Sequence, residues 1–270
     1  MDFELKLLST ITRHLPRIKG AGYLANKIKD FYRRKKRQKV ITRIHDFLLE
    51  LDPNENVDAA ILFYPHLYDW QELEFIRKNL PRGGKFIDAG AYIGWYSLIA
   101  SKIVGPEGEV IAIEADPYNA ERLRRNIELN NIKNIRLFQV GLSDRHEKLK
   151  LYQNLKGNRG GNTFVNPQNT SHVEGPVITC LPLLNILKKC KWDRVDGMKI
   201  DIEGFEYRVL KTFFSNAPRK LFPKFLIVEI NPLYYSCGSS KISELLKNFG
   251  YRLCDKCKTK ENKIYILENT

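Results

Sequence analysis

The sequence has no apolar run approaching the roughly 18–20 residues needed to cross a bilayer. Its opening, Met1 to Arg13, has no apolar stretch ahead of a small-residue cleavage site. Neither a membrane-spanning chain nor a secretory leader is therefore expected; the expected location is cytoplasmic, at most peripheral on a membrane surface. Glycine (17) and proline (12) are too few for a collagen-like or low-complexity chain. Cysteine is scarce and odd in number, at 180, 190, 237, 254 and 257, which fits a reducing compartment. Cys254-Asp-Lys-Cys257 has the spacing of a zinc knuckle or redox pair. No second C-x-x-C and no nearby histidine pair completes a four-ligand site, so two ordinary thiols near a turn are expected. No internal repeat is visible.

What is present is an ordinary globular balance over 270 residues, 43% hydrophobic and 28% charged, with a net charge of +14. That length suits one large domain, or one domain with an extension. The charge is uneven: residues 1–50 hold 13 Lys+Arg against 5 Asp+Glu, densest at Arg33-Arg34-Lys35-Lys36-Arg37. Such a run attracts phosphate on nucleic acid, nucleotide-sugars or lipid head groups, and a solvated helix face is the plain alternative. Residues 22–51 show apolar residues near three- and four-residue spacings (Leu24, Ile28, Phe31, Ile44, Phe47, Leu48, Leu51), which predicts a basic amphipathic helix. Asp52-Pro53-Asn54-Glu55-Asn56 interrupts the pattern, dividing the chain into a helical extension, 1–56, and a main domain, 57–270.

After a helical, aromatic-rich lead-in at 57–80, short apolar strands alternate with amphipathic helices, the signature of a parallel α/β sheet. Strands are expected at Lys85–Ala89, Glu109–Glu114, Ile135–Val140, Gly197–Asp201 and Phe225–Glu229. Helices are expected at Tyr92–Val104, Asn119–Asn130, Leu181–Lys189, Phe205–Phe213 and about 241–248. Two further β runs follow, Tyr251–Cys254 and Lys263–Leu267. The polar segment 153–176 predicts a loop, either a substrate loop or a plain surface one.

The strongest motif is Phe86-Ile-Asp88-Ala-Gly90-Ala91-Tyr92-Ile-Gly94, an apolar strand, a glycine turn and a helix start. Gly90 permits a tight turn and close approach of a ligand, and Gly94 lets the helix pack near that turn. The G-x-G-x-x-G of dinucleotide enzymes is absent: Tyr92 would crowd a pyrophosphate and Asp88 would repel it, while suiting a cationic or zwitterionic ligand. A second strand ends in Glu114, followed by Ala115, where a carboxylate can accept both hydroxyls of a ribose. After the third strand, Ser143 and Asp144 can read an exocyclic amine. Each acid alone could be a helix cap; three at successive strand ends match amino acid, ribose and base.

This constellation resembles the class I S-adenosylmethionine-dependent methyltransferases. Within them, Lys199-Ile-Asp201-Ile-Glu203-Gly204-Phe-Glu206 with Val209-Leu210 resembles the K-I-D-x-E-G-x-E-x-x-V-L motif of the FkbM family. Other matches are Glu114-Ala115-Asp116-Pro117, Asn126 with Asn130, Gly141-Leu-Ser-Asp144, Gly161-Asn162-Thr163 and Val228-Glu229, collinear over about 80–232. The chain departs at Tyr92, where the family's D-x-G-A-N-x-G has Asn, and at Cys180-Leu181-Pro182 in place of T-L-D. The resemblance implies a Rossmann-like fold: a mostly parallel seven-stranded sheet with helices on both faces and an antiparallel edge. It implies S-adenosylmethionine as cofactor and O-methylation of a sugar, glycolipid or other small hydroxylated metabolite.

Methyl transfer to a hydroxyl needs an aligned oxygen and a group to take its proton. Asp201, with Glu203 beside it, is the candidate base or hydroxyl-orienting acceptor; Glu203 could instead cap the helix starting near Gly204. Together with Glu229 these carboxylates could also bind a divalent cation. Asn162 and Thr163, with His66 and Glu229, are candidates for binding the acceptor. His66 and His172 are the histidines expected nearest a pocket, with surface positions as the alternative. Two competing functions remain, a nicotinamide dehydrogenase failing on the glycine pattern. An RNA ribose methyltransferase would use the basic N-terminus, although no N/D-P-P-Y/F motif of amino-directed enzymes is present. A non-catalytic scaffold would dock through the same helix. Anionic membrane docking of residues 22–51 has an amphipathic basic helix as its physical basis, and packing on the main domain or a second subunit is its alternative.

Overall fold

The computed structural model describes residues 3–16, 18, 20–34, 37–166, 172–230, 240–254 and 262–268. The chain opens with α1 (Phe3–Arg13), α2 (Ala21–Arg33), the hairpin β1 (Val40–Ile44) and β2 (Phe47–Leu51), then α3 (Asn56–Phe63) and α4 (Trp70–Asn79). An alternating α/β series follows: β3 (Lys85–Ala89), α5 (Trp95–Val104), β4 (Glu109–Ile113), α6 (Pro117–Leu129) and β5 (Ile135–Phe138). A small sheet interrupts it, from β6 (Gly141–Leu142), β7 (Glu147–Asn154) and β8 (His172–Leu181). The series resumes with α7 (Leu183–Cys190), β9 (Gly197–Ile200), α8 (Glu206–Asn216), β10 (Phe225–Glu229), α9 (Ser240–Asn248), β11 (Tyr251–Leu253) and β12 (Asn262–Leu267).

Seven strands form one sheet in the order β11-β12-β10-β9-β3-β4-β5. β5, β4, β3, β9 and β10 pair in parallel, while β12 is antiparallel to both β10 and β11. This is the expected sheet with an antiparallel edge. The central strands are buried nearly throughout, as parallel strands covered on both faces must be. Alternate residues divide between two cores. Phe86, Val110 and Phe225 join the cluster that contains α3 and α5; Ile87, Ile111, Met198 and Leu226 join the one beneath α7 and α8. Leu5, Ala25, Tyr32 and Leu51 belong to the first cluster, so the N-terminal segment shares a core with the sheet.

Two expectations are corrected. The helix expected over residues 22–51 ends at Arg33, and residues 40–51 form the β1–β2 hairpin, with Ile44 opposite Phe47. Val40-Ile41-Thr42 is β-branched, and a set such as Ile44, Phe47, Leu48 and Leu51 suits either period over so short a stretch. α6 supplies what decides it. Asn130 Oδ1 accepts the Leu48 N–H at 2.8 Å and its Nδ2 donates to the Leu48 carbonyl at 2.7 Å, while Asn126 Oδ1 accepts the Glu50 N–H at 2.8 Å. The loop expected over 153–176 is likewise partly strand: β7 runs to Asn154, β8 starts at His172, and the two pair antiparallel. Of the C-x-x-C pair, Cys254 is buried and Cys257 lies outside the described residues. Among the described residues no helix is long and apolar enough to cross a membrane.

Candidate functional site

The carboxyl ends of the parallel strands open into a cavity of about 460 Å³, within the range of small-molecule sites. Asp88, Gly90, Ala91, Tyr92, Glu114 and Ala115 line one half; Asn162, Asp201, Glu203 and Glu229 line the other. The glycine turn explains the first half. Gly90 has φ +80, and a Cβ there would overlap the Asp201 carbonyl oxygen. Backbone N–H groups of Gly90 and Ala91 both donate to the Ile113 carbonyl, at 2.9 and 3.0 Å, fixing the turn against β4. Gly94, at φ +93, is not on the cavity wall; a Cβ would strike Leu123 of α6, so its part is packing.

Tyr92 adopts φ +52, a left-handed conformation costly for a bulky residue. Asn tolerates that region better, which accounts physically for the residue that usually stands there. Its backbone N–H donates to Glu114 Oε2 at 2.8 Å, and the Asp116 N–H donates to Glu114 Oε1 at 2.9 Å. Burial pushes the Glu114 carboxyl up to about 7 against those two hydrogen bonds. Asn119 of α6 is buried on the same wall, and its Oδ1 has no hydrogen-bond partner. Asp88 accepts from Ser97 Oγ at 2.6 Å, and burial raises its carboxyl.

The second half is a set of interacting charges. Lys199 Nζ donates to Asp201 Oδ2 at 2.7 Å, with side chains 5% and 29% exposed. Against the burial that opposes it, the Lys199 charge holds Asp201 below the usual carboxylate range. Glu229 is driven the other way: burial, then the nearby Asp201 and Glu203, push it up to about 11, so it keeps a proton at neutral pH. Asp201, Glu203 and Glu229 each offer an oxygen within 4.8 Å of the others. These oxygens could reach a divalent cation, yet the Lys199 ammonium and the Glu229 proton already neutralise much of their charge. The donor set fits a cation poorly.

Glu203 is not the helix cap. Phe205 is the N-cap residue of α8; Glu206 accepts the Ile202 N–H at 2.8 Å and the Gly204 N–H at 3.0 Å, bracing the turn before the helix, and Glu203, at φ +50, lines the cavity. Several expected residues are committed elsewhere. Asn162 lines the wall, but its Oδ1 accepts the Asn154 N–H at 2.8 Å and its Nδ2 donates to Asp116. Thr163 is buried off the wall, donating to the Glu203 carbonyl at 2.6 Å. Ser143 donates to Glu147, and Asp144 accepts from Arg208 Nε at 2.7 Å. Neither lines the cavity, because β6 pairs with β8 and turns this stretch toward β7; Val140, Gly141 and Leu142 line the wall instead. His66 Nε2 lies 2.7 Å from the Leu15 carbonyl and His172 Nε2 2.9 Å from that of Gly161; neither reaches the cavity.

Sequence reasoning missed Tyr68, Asp69 and Tyr96. Asp69 opens α4 at φ +47 without capping it; its carboxylate turns into the cavity and accepts from Tyr96 Oη at 2.9 Å. Burial, then the charge of Glu72, push Asp69 up to about 7. An acid at a helix start reads as a cap, so nothing local marked it.

The Methyltransferase FkbM domain profile matches residues 88–253, more than half the chain. This chain belongs to the FkbM methyltransferase family. Methyltransferase sdnD of Sordaria araneosa is 28% identical over 180 residues, 56% of this chain and 65% of that one. Methyltransferase 1 of Beauveria bassiana is 27% identical over 169 residues, 52% of this chain and 67% of that one. The chain thus spans 65% of the length of the first of these relatives. Among solved structures, the methyltransferase FkbM of Methylobacillus flagellatus is similar with a TM-score of 0.43 and 15% identity, covering 77% of this chain and 54% of that one. The FkbM match includes the glycine turn, Glu114 and the Lys199–Glu206 motif, whereas Asp69 lies ahead of it.

Proposed function

We propose that this FkbM-family chain methylates a hydroxyl of a sugar, glycolipid or other small hydroxylated metabolite, with S-adenosylmethionine as donor. The observation that carries the reading is the grouping of Asp201, Glu203 and Glu229 within 4.8 Å of one another beside the glycine turn. Several features suit the donor: the tight, side-chain-free turn at Gly90 on the cavity wall, the partnerless Asn119 Oδ1, Glu114 held by two backbone N–H groups, and an acidic wall. Gly90, Glu114 and Asn119 would hold it. When bound, it supplies an electrophilic methyl on a cationic sulfur.

The chain's own residues do the rest. Asp201, kept ionised by Lys199, accepts a hydrogen bond from the acceptor hydroxyl and aligns its oxygen for in-line attack. Glu229, protonated, donates to a second oxygen of a polyhydroxylated acceptor. Asp201 takes the hydroxyl proton as the new O–C bond forms. The same acidic wall repels phosphate. Of the basic N-terminal segment, Lys29 and Arg33 are spent on Asn56 and on the Asn54 and Gly157 carbonyls.

Radiolabelled methyl transfer to a panel of glycosides and polyols, with total RNA alongside, tests the reading. Label recovered as an O-methyl glycoside or polyol ether is the expected result. Label confined to RNA would replace this reading with ribose methylation. Donor binding without turnover on any acceptor would favour a scaffold.

A further inference from the structure

α1 and α2 are built inside out. Against α3 they turn Leu5, Ser9 and Thr12, then Ala21, Ala25, Lys29 and Tyr32, a largely small or polar set. To solvent they turn their bulkiest apolar groups: Phe3, Leu7 and Ile11 at four-residue spacing on α1, and Tyr23, Leu24 and Phe31 on α2. Phe3 is 80% exposed and Tyr23 69%. The two helices pack on each other and both rest on α3, so these residues stand on the outside of one packed pair. Scattered exposed apolar residues need no explanation, but six large ones on two helices packed together do.

Charge indicates what covers them. Lys6, Lys27 and Arg34 are exposed beside them. The Lys27 ammonium sits 5.4 Å from the Tyr23 ring centre and the Arg34 guanidinium 5.7 Å from that of Phe31. Among the described residues of the two helices the acids are paired: Glu4 with Arg37 and Asp30 with Lys29. Aromatic rings beside cations on an amphipathic face suit the interface of an anionic bilayer, where apolar groups enter the acyl boundary and cations meet phosphates.

We propose that the outer face of the α1–α2 pair docks the protein on an anionic membrane surface. The pair is tied to the cavity wall. Lys29 Nζ donates at 2.7 Å to Oδ1 of Asn56, a lining residue, and Arg33 holds the carbonyls of Asn54 and Gly157. Docking therefore holds the site at the surface, where a lipid-borne hydroxylated acceptor is presented. That last step alone rests on the proposed methylation; the docking does not.

Co-sedimentation of the full chain with phosphatidylcholine vesicles, with and without phosphatidylserine, tests it. Binding is expected only with phosphatidylserine and is expected to fall as salt rises. Leu7→Gln/Ile11→Gln/Phe31→Gln, which removes exposed groups only, is expected to weaken binding about a hundredfold. Lys27→Glu/Arg34→Glu is expected to weaken it more than about tenfold. Thermal unfolding of each variant within a few degrees of wild type, on the scale of a surface change, shows that the fold persists. Three results would overturn the proposal: no sedimentation of wild type with anionic vesicles, equal binding by the apolar variant, or a solution dimer abolished by it, which would make a second copy the occupant.

Discussion

The two halves of the cavity are held by different physics. In the glycine-turn half, position is set by backbone and sterics. Gly90 sits where no side chain fits, and Glu114 is anchored by two backbone N–H groups. In the acceptor half, position is set by charges that depend on one another: Lys199 keeps Asp201 ionised while Asp201 and Glu203 help keep Glu229 protonated. The first half should fail through shape. The second should respond to protons and to the loss of a partner.

The largest effect is expected from Gly90→Ala, whose Cβ must displace the Asp201 backbone. Donor binding should fall by more than about a hundredfold, with the strain of overpacking destabilising the fold by about 1–3 kcal/mol. A folded variant with wild-type affinity by calorimetry would break the steric half of the comparison. Next is Asp201→Asn, which strips the buried Lys199 of its 2.7 Å partner. A loss of about 3 kcal/mol in urea unfolding is expected, at the low end for such pairs because Asp201 is 29% exposed. Lys199→Met in the same chain should restore most of it; no recovery would show that the pair is not the cause.

A smaller change is expected for Glu114→Gln, about tenfold in donor affinity, or about 1.4 kcal/mol. The wild-type carboxyl is raised to about 7, so it is protonated below that pH and cannot accept two hydroxyl hydrogen bonds. Donor affinity should therefore rise with pH through about 7 in wild type and stay flat in Glu114→Gln. The smallest effect belongs to Glu229→Gln. The wild-type group carries its proton up to about pH 11, so the amide replaces a neutral acid. Stability at neutral pH should change by less than about 0.5 kcal/mol; a loss several times larger would mean Glu229 is ionised in the fold.

This division also decides what the sequence revealed. The glycine-turn half is local: Asp88, Gly90 and Glu114 sit at the ends of strands whose apolar runs announce them, and β3 and β10 match their expected bounds residue for residue. The acceptor half is assembled from distant pieces. Asp201 and Glu203 stood out in their motif. Asp69 comes from an irregular stretch between α3 and α4, and its place on the wall shows only where Tyr96 of α5 meets it. Asn162 and Thr163 lay in the right loop, but their hydrogen bonds were already spent on Asp116, Asn154 and Glu203. The β1–β2 hairpin was hidden for a related reason, since Asn126 on α6 and Asn130 at its C-cap pin the hairpin backbone from far along the chain.

Calorimetry of S-adenosylmethionine against the wild-type chain from about pH 6 to about pH 8 tests the donor site most directly. Saturable binding of one molecule per chain, tightening as pH rises through about 7, is the result expected from Glu114. Absence of binding by the folded protein across that range would contradict the assignment of this cavity to the methyl donor.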